Sequence, residues 1–501
     1  MTIVDILKSN AILYKDNIAI CYAADGMESK ITWAEFNYYS NKTANALTAN
    51  GIKHGDKVAI LLNNCLEWLP IYFGILKAGA IAVCVNTRNN IDEIIYCLNL
   101  TDCFCTIYID EFLSFDILTT IHKQCVVISI SDIDSFSLTE PIVSISESDL
   151  AAIYFSSGTT GQSKAVLHNH SSLMNAARVE NLHHGQTKDD VFLCIPPLFH
   201  MGSIVHWLGS FIVGSSVVII KNVSPKNIFD IIEKKHISIA WLLMIWVQDI
   251  IDAIECGDIN IEDYDLRKWR LMHMGAQPIP KSLILTWKKL FTNHHIDVSY
   301  GLTETAGPGC VHLGIDNVSM AGSIGKAGVG WCAKIVDEHK NEVENMQIGE
   351  LAISGKSLMV GYYNDPVSTK AVLNNNWLLT GDLGYKDNDD FIFLIGRKKD
   401  VIISGGENIF PIQIETHIKS YYKVKDVAVI GLPERRFGEI IVAIIELKAN
   451  FVCSKSEIIK FCRNLPQYKR PHKIYFDSLP RNALKKVDKQ KLKERYIHQF
   501  I

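Results

Sequence analysis

Nine consecutive residues bring together hydroxyls, backbone freedom and one positive charge: Ser156-Ser157-Gly158-Thr159-Thr160-Gly161-Gln162-Ser163-Lys164. In such a run the backbone N–H groups can turn toward an anion. The Ser and Thr hydroxyls donate to its oxygens and the lysine adds charge. A triphosphate suits that chemistry. The spacing Gly158-x-x-Gly161-x-x-Lys164 differs from G-x-x-x-x-G-K-[ST], so this is not a Walker A loop. On residue chemistry alone, an ordinary Ser/Thr/Gly surface loop remains the competing reading.

Two other glycine patterns fail on context. Gly355-Lys356-Ser357 ends like a P-loop, but the first glycine that pattern needs would fall at Glu350. Gly328-Val329-Gly330-Trp331-Cys332-Ala333 fits G-x-G-x-x-A, yet Lys334 to Val336 and Asp337-Glu338 read as strand and turn where a helix is required. Both are read as structural glycines. There is no H-E-x-x-H, no cysteine-zinc spacing and no G-x-S-x-G elbow, so neither a protein-held metal nor a serine hydrolase has sequence support.

The elements that must position these groups follow from the hydrophobic pattern. Lys57–Leu62, Ile81–Val85 and Phe104–Ile109 are short apolar, β-branched runs, and the amphipathic segments Leu66–Ala78 and Ile91–Leu100 lie between them. That alternation predicts β-α-β units, with a mostly parallel sheet and helices on its faces. Ala151–Phe155 reads as the strand leading into the Ser/Thr/Gly run. Ser203–Ile220 is the longest apolar stretch, but His206, Gly209 and Gly214 interrupt it, so it reads as a buried helix entering a strand.

A chain of 501 residues, 48% hydrophobic and 21% charged, is too long for one small module and too apolar for global disorder. Its net charge of -4 is unevenly spread. From Arg397 onward there are 22 basic against 11 acidic residues, whereas the preceding 396 residues hold 28 basic and 43 acidic. The basic tail predicts an anion-docking face, for nucleic acid or a polyphosphorylated small molecule, and the composition change places a domain boundary at Gly396–Lys399. Thirteen cysteines without C-x-x-C pairs read as reduced thiols of a cytosolic protein, and the charged N-terminus lacks the form of a secretory signal.

Five motifs, in order, give the chain a resemblance: Ser156 to Lys164, Tyr300-Gly301-Leu302-Thr303-Glu304-Thr305, Thr380-Gly381-Asp382, Gly396-Arg397-Lys398-Lys399-Asp400 and Pro480-Arg481-Asn482-Ala483-Leu484-Lys485-Lys486. The sequence resembles the AMP-forming adenylate-forming enzymes, which include acyl-CoA synthetases, peptide-synthetase adenylation domains and firefly luciferases. The resemblance implies an α/β fold. A large N-terminal body (residues 1–396) with mostly parallel sheets would bind ATP and acid, and a small mobile α+β domain (397–501) would carry the adenylation lysine.

It also implies roles. Ser156, Ser157, Gly158, Thr159, Thr160, Gly161 and Lys164 would hold the β- and γ-phosphates, Thr303 the α-phosphate, and Glu304 the magnesium that accompanies ATP. Tyr300 belongs to the same nucleotide site. Asp382 would accept both ribose hydroxyls, with Arg397 as a second ribose or phosphate contact, and Lys486 would bridge the attacking carboxylate and the α-phosphate. Lys399 stands at the hinge position, and Ser404, Gly405, Gly406 and Glu407 lie on the face turned toward coenzyme A in the second half-reaction. ATP, magnesium and coenzyme A are thus expected, with no tightly bound prosthetic group.

His200 and Met201, with Trp246, Met274, Gly275 and Ala276, match positions around the family's acyl pocket. Their apolar character predicts a hydrophobic acid, fatty or aryl. Phe199 to Gly209 contains no acidic residue to bind an ammonium, which weighs against an amino-acid substrate. The family's glycines are replaced by Lys485 before the catalytic lysine, by Ala165 after the loop lysine and by Asp390 before the strand at Phe391, and a common proline by Met244. The expectation is a soluble AMP-forming acyl-CoA synthetase. The alternatives are an adenylating ligase that serves a carrier-protein thiol, and an inactive nucleotide- or nucleic-acid-binding protein using its basic C-terminal unit; no nucleic-acid partner is expected on the main reading.

Overall fold

The computed structural model describes residues 1–24, 26–108, 126–157, 163–276, 279–481 and 486–497. Gly158, Thr159, Thr160, Gly161 and Lys485 lie outside the described residues, as does the side chain of Ser157. The chain divides into two compact units, Met1–Ala333 with Ile353–Leu378, and Lys334–Ala352 with Leu379–Ile501. The domain boundary read from composition at Gly396–Lys399 falls inside the second of these units.

In the first unit, described strands form two large sheets. One has Ile18–Ala24, Ser216–Ile220, Val191–Cys194, Ile239–Leu243, Leu271–Gly275 and His295–Leu302 as successive parallel neighbours, with antiparallel strands at both edges. The other has a parallel centre of Leu150–Ser157, Ile81–Cys84, Lys57–Leu61, Cys105–Tyr108 and Val126–Ser129, and the hairpin partner Ser163–Asn169 runs antiparallel along Leu150–Ser157. Ile239–Leu243 and Leu271–Gly275 are buried at every position, as expected of strands covered by helices on both faces.

The expected β-α-β alternation is present as Lys57–Leu61, helix Trp68–Lys77, Ile81–Cys84, helix Ile91–Leu100 and Cys105–Tyr108. The apolar stretch becomes helix Met201–Ile212 followed by strand Ser216–Ile220. Among the described residues no helix is long and apolar enough to cross a membrane.

Six tryptophans in this unit are fully buried: Trp33, Trp68, Trp207, Trp241, Trp269 and Trp287. Removing an aromatic side chain of this size from water is worth about 4–6 kcal/mol at ~25 cal/mol per Å². Gly355 is filled from outside: a Cβ there would lie 2.3 Å from the Trp331 ring, so close packing explains the P-loop look-alike.

The second unit takes up strand Trp377–Lys386 from Leu379 onward, and Asp382 to Lys386 pair antiparallel with Ile392–Arg397. It also holds an antiparallel sheet centred on Val424–Glu434 and Gly438–Leu447, along which Lys473–Phe476 runs parallel. The turn before Ile392 puts Asp390 at φ 66, so the position glycine usually occupies keeps a left-handed backbone. Asp tolerates that region better than most residues. Asp387 Oδ1 stabilises the turn by accepting from the N–H groups of Asp389 and Phe391.

Candidate active site

The candidate residues of the first unit follow the carboxyl ends of four neighbouring parallel strands. His200 and Met201 come after Val191–Cys194, Trp246 after Ile239–Leu243, Gly275 and Ala276 end or follow Leu271–Gly275, and Thr303 and Glu304 follow His295–Leu302. That edge is where open α/β sheets bind ligands, because the loops there leave a crevice.

Glu304 sits in the single turn Thr303–Thr305, which is fastened at several points. Thr305 Oγ1 accepts from the Leu302 N–H at 2.8 Å, and the Met359 N–H donates to the Glu304 carbonyl at 2.8 Å. His168 Nε2 lies 2.8 Å from the Thr303 carbonyl oxygen, and burial pushes its imidazole down to about 4, so it stays neutral and donates that N–H. Gly301 has no alternative residue: a Cβ there would lie 2.0 Å from the Gly307 carbonyl oxygen.

The Glu304 carboxylate points at the hairpin of Leu150–Ser157 and Ser163–Asn169. Ser156 Oγ donates to its Oε1 at 3.2 Å and Tyr362 donates its hydroxyl to the same oxygen at 2.9 Å. Burial and the neighbouring carboxylate push the Tyr362 phenol well up, which keeps it a donor. Lys164 stands directly opposite Ser156 in the hairpin, and its Nζ lies 4.6 Å from the centre of the Tyr362 ring. Ser163 and Lys164 are therefore strand residues, although the sequence reads the whole run as a loop. Tyr300 is half-buried on the strand leading to Glu304, and its carbonyl accepts from Cys310 Sγ.

The acyl-wall candidates meet around Trp241. A Cβ on Gly202 would lie 2.7 Å from Trp241 Cη2, and one on Gly275 would lie 3.7 Å from Trp241 Nε1. Trp246 and Ala276 pack against the cluster that contains Trp241, and Met274 is fully buried. His200 caps helix Met201–Ile212 by accepting from the Gly202 N–H on Nδ1. Met201 lies next to the glutamate turn, its carbonyl oxygen 3.0 Å from where a Gly307 Cβ would be. Ala276 is held at φ 71, a strained conformation for a residue with a Cβ.

In the second unit Asp382 and Arg397 are directly paired across two strands, with Arg397 Nε donating to Asp382 Oδ1 at 3.0 Å. Asp382 is 6% exposed and Arg397 half-buried. Lys486 feels both: burial, then the Arg397 charge, push its ammonium down to about 8, and Asp382 partly opposes this. The structure thus brings Asp382, Arg397 and Lys486 together. Lys399 is exposed in the turn Lys398–Asp400.

Ser404, Gly405, Gly406 and Glu407 form the bend of a hairpin between Ile402–Ser404 and Glu407–Ile409, with both glycines at positive φ. Two central residues at positive φ match the right-handed strand twist, the reason Gly-Gly suits this bend.

Three supporting residues were not legible in the sequence. Tyr362 and His168 act on Glu304 and Thr303 across 58 and 135 residues, and Glu350 accepts from the Gly381 N–H at 3.0 Å and from Lys398 at 3.0 Å. No short-range spacing marks any of them.

Residues 7–363 match the AMP-binding enzyme family model and residues 413–486 the AMP-binding enzyme C-terminal domain model. The chain is 30% identical over 488 residues to the long-chain-fatty-acid–CoA ligase FadD13 of Mycobacterium tuberculosis, covering 95% of each chain. It is 29% identical to the 2-succinylbenzoate–CoA ligase of Bacillus cereus, covering 97% of each. Among solved structures, the o-succinylbenzoate coenzyme A synthetase MenE of Bacillus subtilis in complex with ATP and magnesium ion superposes with a TM-score of 0.88 at 27% identity, covering 97% of this chain and 99% of that one. With motifs, architecture and relatives in agreement along its length, the chain belongs to the AMP-binding enzyme family of adenylate-forming ligases.

Proposed function

We propose that the chain, an AMP-forming acyl-CoA ligase, activates a hydrophobic carboxylic acid, medium- or long-chain fatty or aryl, and passes the acyl group to free coenzyme A. The observation that carries this reading is the Ser156–Glu304–Tyr362 arrangement beside Lys164, an anion-type hairpin with a fixed carboxylate at its edge. The acyl side is supported by the apolar surroundings of Trp241, Trp246 and Met274.

The acid's carboxylate oxygen would bond to the α-phosphorus of ATP as the bond to pyrophosphate breaks. The thiol sulfur of coenzyme A would then attack the acyl carbon and expel AMP. Both steps need charge neutralised and nucleophiles held in place. Ser156 and Lys164 supply a hydroxyl and a charge for the phosphate tail, with Gly158, Thr159, Thr160 and Gly161 of the same motif assigned to it by the family resemblance, and Thr303 supplies a hydroxyl for the α-phosphate. Asp382 accepts from ribose hydroxyls, with Arg397 holding its carboxylate in place. Lys486 places an ammonium where negative charge builds at the α-phosphate.

The donor set at Glu304 fits a hard cation: Oε1 is occupied by two hydroxyls, and among the described residues Oε2 accepts no hydrogen bond. Magnesium carried with ATP would neutralise phosphate charge there.

After adenylation the basic domain would pivot at Lys399, withdrawing Lys486 and presenting Ser404 to Glu407 toward the coenzyme A phosphates. The free cysteines, nine of the twelve described ones buried, support a cytoplasmic setting.

A panel of short, fatty and aryl acids tests the reading. Acid-dependent exchange of labelled pyrophosphate into ATP should occur without coenzyme A, and free coenzyme A should then release AMP. No exchange across the panel would remove adenylation, and acceptance by a phosphopantetheinylated carrier alone would replace free coenzyme A.

A further inference from the structure

Six ionisable side chains of the first unit that the ligase reaction does not use lie together in the interior. Glu180 and His184 come from helix His170–His184, His206 from helix Met201–Ile212, His273 from strand Leu271–Gly275, Asp297 from His295–Leu302 and His312 from Gly307–His312. Their side chains are 0–1% exposed. Among the described residues neither carboxylate pairs with a lysine or arginine; their ionic partners are imidazoles alone.

The two carboxylates are used differently. Asp297 is saturated: its Oδ2 lies 3.1 Å from His184 Nε2 and 2.7 Å from His312 Nδ1, and its Oδ1 accepts from the Gly314 N–H. Glu180 Oε1 lies 2.9 Å from His206 Nδ1, 3.1 Å from His273 Nδ1 and 3.9 Å from His184 Nδ1. None of these approaches is aligned as a hydrogen bond, and both Glu180 oxygens and all three Nδ1 atoms are buried without a hydrogen-bond partner. Atoms bound tetrahedrally at 2.0–2.2 Å around one ion stand about 3.3 Å apart, which these separations bracket.

The far side of each ring completes the pattern. His184 Nε2 faces Asp297, and His273 Nε2 lies 2.6 Å from Ser299 Oγ. Metal-binding imidazoles are commonly oriented in this way, through a carboxylate or other acceptor on the second nitrogen.

We propose that Glu180, His184 and His273, whose ligand atoms lie within 4.8 Å of one another, hold a divalent transition-metal ion, zinc in the best match. Two imidazole nitrogens and one carboxylate oxygen are a donor set that suits zinc, three protein ligands with a fourth tetrahedral position open. Signals based on short ligand spacing miss it because His273 lies far along the chain from the helix that carries Glu180 and His184. The ion would tie helix His170–His184 to the strand that carries Met274 and Gly275, and so brace the acyl wall from behind.

The test uses the full chain, stripped with a chelator and titrated with zinc or cobalt(II) alone. Expected are one zinc per chain, visible ligand-field bands of tetrahedral cobalt and a melting temperature that rises on stoichiometric zinc. Ser299→Ala should weaken zinc binding 10- to 100-fold by releasing His273, which a plain hydrogen-bond network would not do. Glu180→Gln, where folded by circular dichroism, should take up no cobalt. Stripped parent protein that shows neither cobalt bands nor a zinc-dependent melting shift would overturn the site. So would zinc affinity unchanged in Ser299→Ala, or cobalt bands persisting in folded Glu180→Gln.

Discussion

The glutamate turn of the first unit and the Asp382–Arg397–Lys486 group of the second hold charges by different means. Around Glu304 the fixing bonds come from neutral donors and from backbone, namely the hydroxyls of Ser156 and Tyr362, the neutral His168 and the Met359 N–H. Around Lys486 the fixing forces are between full charges. The first arrangement is set by geometry and changes little with pH. The second depends on protonation, so the two should respond differently to substitution and to pH.

The largest expected effect lies on the geometric side. Glu304→Gln keeps an oxygen for Ser156 and Tyr362 but removes the charge, so pyrophosphate exchange should fall about 10²–10³-fold while the melting temperature stays within about 3 °C. A comparable loss of stability would show that the turn needs the charge for folding.

Lys486→Ala should slow adenylation about 10²-fold and leave thiolation of a supplied acyl-adenylate largely intact. Equal losses in both half-reactions would contradict a role confined to the first step. The pH dependence sharpens this. With a folded pKa near 8, below its ordinary value, the ammonium is present below pH 8 and lost above it. The kcat/KM for ATP in exchange should therefore decline above pH 8, and Lys486→Arg, always charged, should abolish that limb.

A smaller effect is expected for Tyr362→Phe. It removes one hydroxyl donor to a carboxylate, worth about 1.5–3 kcal/mol, and should slow exchange about tenfold or more without moving the alkaline limb. Least of all is expected from Lys398→Ala, which breaks an ion pair whose lysine is 63% exposed; stability should change by less than about 1 kcal/mol.

What the sequence made legible was local. The alternation from Lys57 to Tyr108 and the helix–strand reading of Ser203–Ile220 depend on side-chain periodicity, which neighbours in sequence determine. The motif residues Ser156, Glu304, Asp382 and Lys486 could be named because each lies in a short ordered pattern. Tyr362, His168 and Glu350 could not, since their roles exist only once distant strands pair, as Tyr362 does with Val166. The buried histidines fell to the same limit, compounded because a lone histidine in an apolar segment carries no spacing signal. Asp390 shows the reverse case: its departure from glycine was visible, and the backbone kept its left-handed bend.

The placement of tryptophan gives the molecule a built-in optical label. All nine tryptophans fall in the first unit, six of them in its core, and the second unit has none. Indole emission therefore reports the first unit alone, while circular dichroism reports helices and strands in both. Coincident melting curves from the two signals would show the units unfolding as one cooperative block, and separated curves would assign each transition to its unit without any dye or mutation.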